Sequence, residues 1–162
     1  MYKVAIITAS DKGYAGERED KSGSTIEEIV TAHELEVTGK VILPDDRQML
    51  SDQMLNYCHQ GIDLILTTGG TGFSKRDVTP EATADIVERR ADNLTFAMIA
   101  NSLQYTPKAM LSRGIAGIRE NTLIVNLPGS PKAVRENLEY AIDAIIHGVK
   151  ILKGDDAECA RK

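Results

Sequence analysis

The chain is poor in cysteine, in histidine and in long apolar runs, and each shortage closes off a class of function. Its two cysteines, Cys58 and Cys159, form no CxxC pair, so a disulfide framework is excluded. His33, His59 and His147 fall in segments of helical pattern without HxxxH or Cys/His zinc spacing, which leaves them as surface or half-buried helix residues. The N-terminal run Val4-Ala5-Ile6-Ile7 is far shorter than the apolar core of an export signal and soon meets Asp11-Lys12. The longest apolar stretch, Ala141 to Leu152, carries Asp143, His147 and Lys150 and falls short of the roughly 20 apolar residues a membrane helix needs. We therefore expect a cytoplasmic protein that does not engage a membrane. Positive charge is also lacking. Nineteen basic against 24 acidic residues give a net charge of −5, which repels a nucleic-acid backbone. Small anions remain admissible, because a local nest of backbone N–H groups binds phosphate whatever the net charge.

What is present is a chain of 162 residues with 42% hydrophobic content, enough for one domain with its own core. Val4 to Thr8 predicts a strand covered on both faces. Ser24 and Glu27 have capping-box spacing, and Ile26, Ile29, Val30 and His33 follow at helical intervals, so a helix is expected from about Thr25. Val37 to Leu43 predicts a second strand closed by Pro44-Asp45-Asp46, with Asp46 suited to cap a helix carrying Leu50, Met54, Tyr57 and Cys58 on one face. Ile62 to Thr67 predicts a third strand running into Gly69-Gly70-Thr71-Gly72. Thr79-Pro80 then reads as an N-cap and first helical residue, with the helix running to about Arg90. Leu94 to Leu103 predicts another helix, and Gly114 to Leu127 a strand pair around Arg119-Glu120-Asn121. Val134, Leu138, Ala141, Ile142, Ile145 and Val149 form a long apolar stripe on a final helix. Residues 1–152 thus constitute the domain, and 153–162 a frayed polar tail. Alternating strands and helices predict an α/β fold with a mostly parallel sheet, whose ligand sites lie in the loops beyond the strand C-termini.

Among those loops the Gly69–Gly72 run is the strongest signal, since residues without Cβ let successive N–H groups approach an anion. It is neither a Walker loop, which needs GxxxxGK[ST], nor the dinucleotide fingerprint GxGxxG. Lys75, Arg76 and Asp77 follow it, a combination suited to a metal-bound polyphosphate. Asp45 or Asp46, at the end of the preceding strand, is placed to share that rim. Ser130, in Leu127-Pro128-Gly129-Ser130-Pro131-Lys132, is placed to cap a helix whose dipole favours negative charge by about 0.3–1 kcal/mol.

These residues also carry a resemblance. Thr67-Thr68-Gly69-Gly70-Thr71-Gly72 followed by Arg76-Asp77-Val78-Thr79-Pro80-Glu81-Ala82 is similar to the molybdopterin adenylyltransferase family of molybdenum-cofactor biosynthesis. Ser10-Asp11, Asp20-Lys21-Ser22-Gly23, Pro44-Asp45-Asp46, Leu111-Ser112-Arg113 and Asn126 to Lys132 extend the likeness from about Tyr2 to Leu152. It implies a three-layer α/β/α sandwich of Rossmann-like type, a homotrimer in contact with molybdate-insertion proteins. The implied reaction transfers AMP from Mg-ATP to the terminal phosphate of molybdopterin and releases pyrophosphate. By the same resemblance Gly69, Gly70, Thr71 and Gly72 hold ATP phosphates, and Asp45 and Asp77 are the essential carboxylates, with Mg²⁺ between them and the substrates. Ser10, Asp11, Ser22, Gly23, Pro128, Gly129 and Ser130 are implied to line the cleft. Related domains in larger cofactor-synthesis proteins and in a membrane-receptor scaffold keep a second reading open, a molybdopterin-binding or interaction module without turnover.

Overall fold

A computed structural model describes residues 1–155. Cys159 and most of the expected tail lie outside the described residues. Six strands form one sheet: β1 (Lys3–Ala9), β2 (Glu36–Leu43), β3 (Leu64–Thr68), β4 (Arg89–Arg90), β5 (Ala116–Arg119) and β6 (Thr122–Leu127). Their spatial order is β2-β1-β3-β6-β5-β4. The first four in that order are parallel, and β5 and β4 add an antiparallel edge.

The sheet is buried on both faces because its central strands are apolar at successive positions. Val4 and Ile6 of β1 turn to one side with Leu64, Leu66, Leu123 and Val125; helices α2 (Lys21–Ala32), α5 (Asp92–Ser102) and α6 (Pro131–Lys153) cover that side. Ala5, Ile7, Ile65 and Ile124 turn to the other, beneath α3 (Arg47–His59) and α4 (Thr79–Ala84). The result is the expected three-layer arrangement. The predicted stripes of α3 and α6 are its contact faces, every one of their apolar residues being buried. No helix among the described residues is long and apolar enough to cross a membrane.

Local competition moves several boundaries. Helix α2 starts at Lys21, four residues before the expected Thr25. Asp20 accepts the Gly23 N–H at 2.9 Å and takes the cap, while Ser24 and Thr25 donate back to the carbonyls of Asp20 and Lys21. A short helix, α1 (Asp11–Tyr14), capped by Ser10, was not foreseen. Thr79 does not cap α4: Val78 holds that position without a side-chain bond, and the helix ends at Ala84. Beyond it the sheet claims the backbone, with the Glu88 and Ala91 N–H groups donating to Ile118 and Ala116 of β5. The expected tail also starts too early, because Lys153 is the last residue of α6 and pairs with Asp63 at 2.8 Å.

Candidate active site

Because β1, β2, β3 and β6 are parallel, their C-terminal ends open on one edge of the sheet. That edge receives Ser10-Asp11, Pro44-Asp45, Gly69-Gly70 and Pro128-Gly129-Ser130 from the four strands in turn. Gly69 (φ +88°) and Gly70 (φ +69°) lie in the left-handed region that side chains disfavour. The turn they make is crowded. A Cβ on Gly69 would stand 2.4 Å from the Ala9 carbonyl oxygen, and one on Gly129 would stand 3.4 Å from the Gly69 Cα. The loops after β1, β3 and β6 thus meet backbone to backbone. Thr68 Oγ1 donates to the Pro128 carbonyl at 2.6 Å and Ser22 Oγ to the Gly129 carbonyl at 2.5 Å, fixing the contact. Ser130 Oγ accepts the Ala133 N–H at 3.2 Å, so it caps α6 as expected, and Asp46 likewise caps α3 through Met49.

Three carboxylates line this edge with different electrostatics. The Asp11 N–H donates to Asp45 Oδ2 at 3.1 Å, and the Asp45 N–H donates to Asp11 Oδ1 at 3.0 Å, a reciprocal clasp between β1 and β2 loops. Arg76 closes on Asp11 with Nε to Oδ2 at 3.0 Å and Nη2 to Oδ1 at 2.9 Å. That guanidinium, helped by the Asp45 N–H, holds the Asp11 carboxyl below the usual range. Asp45 is pushed the other way, first by burial and then by the Asp11 and Asp77 carboxylates. Its Oδ1 is buried without a hydrogen-bond partner, and so is Thr79 Oγ1. Both atoms face the Cα of Gly70, where a Cβ would lie 3.1 Å from the first and 2.4 Å from the second. Asp77 accepts the Ser74 N–H on Oδ2 at 3.0 Å, closing the turn 74–77 rather than capping α4.

Two hollows meet at these residues. The larger, about 950 Å³, runs from Ser10, Asp11 and Ser22 past Asp45, Gly69 and Ser130. The smaller, about 430 Å³, lies between α5, a 3-10 turn (Pro107–Leu111) and the start of α6. Gly70, Asp77 and Gly129 belong to the walls of both. Each volume is in the range of small-molecule sites. No group of three or more His, Cys, Asp or Glu side chains converges on a metal position among the described residues. Asp45 and Asp77 form no metal cage of their own; the unpartnered Asp45 Oδ1 is an oxygen donor of the kind hard cations take.

Residues 5–147 match the family described as a probable molybdopterin binding domain. The chain belongs to this family. It is 38% identical over 155 residues to the molybdopterin adenylyltransferase of Helicobacter pylori strain J99, covering 94% of this chain and 88% of that protein. It is 41% identical over 159 residues to gephyrin of Dictyostelium discoideum, covering 92% of this chain but spanning only 22% of that protein. The crystal structure of the molybdopterin biosynthesis enzyme MoaB from Thermus thermophilus superposes with a TM-score of 0.90 at 42% identity, over 95% of this chain and 98% of that one.

In this chain the residues expected at the site divide. Ser10, Asp11, Ser22, Asp45, Gly69 and Gly70 reach the larger hollow, together with Asp77, Gly129 and Ser130. Thr71, Gly72 and Pro128 reach only the smaller one. Gly23 reaches neither: its N–H is taken by Asp20, and a Cβ there would stand 2.2 Å from Asp20 Oδ2, so its glycine is a requirement of the cap. Sequence reasoning missed the smaller hollow, the buried Thr79 hydroxyl and Asp20, whose Oδ2 accepts from Thr8 Oγ1 at 2.9 Å.

Proposed function

We propose that this chain is a molybdopterin adenylyltransferase that transfers AMP from Mg-ATP to the terminal phosphate of molybdopterin. One observation carries the reading: two separate hollows share a wall made of Gly70, Asp77 and Gly129. A transfer between two phosphorylated substrates needs a volume for each and a common boundary where their phosphates meet. The glycines at that boundary allow close backbone approach, and the carboxylates stand where the polyphosphate charge must be managed. In the step, a terminal phosphate oxygen of molybdopterin attacks the α-phosphorus of ATP. The bond from that phosphorus to the bridging oxygen breaks, and pyrophosphate leaves with the electron pair. No protein nucleophile is required, since this chemistry depends on in-line placement and charge neutralisation.

The Gly69-to-Gly72 loop with Thr71 holds nucleotide phosphates, and Ser10, Asp11, Ser22, Gly129 and Ser130 position the rest of the substrates. Asp45 and Asp77 would hold Mg²⁺ against the phosphates, where the cation neutralises developing charge. Asp45 Oδ1 supports this assignment, being a buried carboxylate oxygen beside Gly70 for which the protein supplies no donor. The protein acts in the cytoplasm as a homotrimer that passes its product to molybdate-insertion proteins. Exposed Phe96, Leu103, Tyr105 and Leu111 give an apolar surface for such an assembly. Incubating the pure protein with molybdopterin, Mg²⁺ and ATP should yield adenylylated pterin and pyrophosphate in equal amounts; tight molybdopterin binding without product would favour the non-catalytic module. Sedimentation at micromolar concentration should give a trimer, and a monomer would remove the assembly.

A further inference from the structure

We propose that Arg113 is a positioning residue for adenylyl transfer, a single guanidinium that fixes both ends of the loop carrying Asp77. The inference rests on the function proposed above and concerns a residue outside the expected set of site residues. Arg113 follows the 3-10 turn Pro107–Leu111, and its own backbone N–H donates to the Thr71 carbonyl at 2.8 Å. Its side chain reaches in the same direction. Nε donates to the Gly72 carbonyl at 2.8 Å, Nη2 to the Asp77 carbonyl at 2.8 Å, and Nη1 to Glu81 Oε1. Four donors from one residue therefore engage Thr71, Gly72, Asp77 and the first turn of α4.

The loop between these points has its own closures: the Asp77 N–H donates to the Ser74 carbonyl, Ser74 N–H to Asp77 Oδ2, and Thr79 N–H to the Gly70 carbonyl. Those bonds shape segments of the loop but tie it to no neighbouring strand. Outside the loop, Arg76 reaches Asp11 through an exposed side-chain pair, and Arg113 supplies the reference that grips the loop's main chain. Two carbonyls that would otherwise need water as a donor are held by the fixed fork of a guanidinium, whose position Glu81 in turn sets. Asp77 has its main chain at one prong, so its carboxylate is aimed at the shared wall of the two hollows by a residue that lines neither. Lysine cannot replace this contact, because an ammonium is a point charge on a flexible stem and cannot serve two carbonyls and a carboxylate in fork geometry.

The test uses Arg113→Lys and Arg113→Ala in the full chain, with single-turnover adenylyl transfer, the KM for ATP and a thermal melt measured together. We expect each folded variant to lose roughly 10²-fold in transfer rate, the scale of a misplaced reacting group, with its molybdopterin affinity unchanged. Added guanidinium ion should restore part of the rate of Arg113→Ala, whereas ammonium should not. A wild-type transfer rate in either folded variant would overturn the proposal, as would a rate loss that only tracks the unfolded fraction and resists guanidinium. If Arg113→Ala does not fold, Arg113→Lys decides alone. Absence of transfer in the unsubstituted protein would instead overturn the adenylyltransferase reading and this inference with it.

Discussion

At the N-terminal ends of β1 and β3, Asp63 is 5% exposed and both of its oxygens are engaged, Oδ2 by the Lys3 N–H at 2.9 Å and Oδ1 by Lys153 Nζ at 2.8 Å. Neighbouring polar groups there are paired as well: Thr122 Oγ1 donates to the Ile62 carbonyl at 2.6 Å, and the Leu123 N–H to the Asp63 carbonyl at 3.0 Å. At the opposite edge of the sheet, where β1, β2 and β3 end, Asp45 Oδ1 and Thr79 Oγ1 are buried without partners, two glycines hold positive φ, and three carboxylates gather. One sheet thus has an edge where the buried carboxylate is compensated and Arg119 Nε is a buried atom left without a partner, and an edge where such atoms concentrate, Glu81 Oε2 and Ser102 Oγ joining Asp45 Oδ1 and Thr79 Oγ1. Uncompensated buried groups cost stability, about 1–3 kcal/mol each, so their concentration at one edge marks where selection has kept something other than stability.

The comparison breaks most decisively at Asp77. Asp77→Asn preserves shape and removes charge, so at the uncompensated edge it should damage turnover and spare the fold. We expect a loss of about 10²–10³-fold in single-turnover adenylyl transfer, the scale of deleting one preorganised electrostatic contact. The melting temperature should be retained, since Oδ1 of the asparagine can still accept the Ser74 N–H. A normal rate with a lowered melting temperature would make Asp77 a turn-closing residue and nothing more.

The opposite edge should respond in the opposite sense. Asp63→Ala leaves the Lys3 N–H and the Lys153 ammonium without their acceptor, and should cost about 1–3 kcal/mol of stability. Adenylyl transfer by the folded fraction should be unchanged, because Asp63 stands at the far ends of the strands. A urea melt beside a rate measurement distinguishes the edges; equal loss of both quantities would mean that they are coupled through the sheet.

How much of this was legible follows from what kind of signal each part leaves. The apolar stripes of α3 and α6 were readable because burial of one helix face imposes a period, and the strands β1, β3 and β6 because burial on both faces imposes an unbroken run. The glycine loop was readable because glycine adopts φ near +88° and +69° without the steric cost a side chain meets there. The start of α2 was missed because Asp20 and Ser24 are both competent caps, and only the folded chain, with Thr8 holding Asp20 Oδ2, decides between them. Strand β4 and the early end of α4 depend on pairing with β5, nearly 30 residues away in sequence. The Arg113 fork and the smaller hollow are likewise products of long-range packing, and residue type alone does not announce them.

The smallest expected effect concerns the stability side of Asp45, and its sign is the sharpest check on the comparison. Burial, followed by the carboxylates of Asp11 and Asp77, raises the Asp45 pKa above its ordinary 3.8, against the Asp11 N–H and Arg76, which pull it down. The folded state therefore binds this proton more tightly than the unfolded chain does. The resulting stabilisation is fully present below pH 3.8 and is lost as pH rises through the raised folded-state value, so near neutrality the ionised carboxylate is a burden on the fold. Asp45→Asn removes that burden. Its amide oxygen can keep the Asp11 N–H, and its NH₂ turns toward the unpartnered Thr79 hydroxyl beside Gly70. At pH 7 the variant should melt at or slightly above the unsubstituted protein, by roughly 2–4 °C if the gain is about 1 kcal/mol in a chain of this size, while losing adenylyl transfer. As pH is lowered toward 4 the unsubstituted protein takes up its proton and the difference should shrink. A variant that melts lower at pH 7, by a margin that holds down to pH 4, would show that Asp45 supports the fold as Asp63 does, and the contrast between the two edges would fail at its central residue.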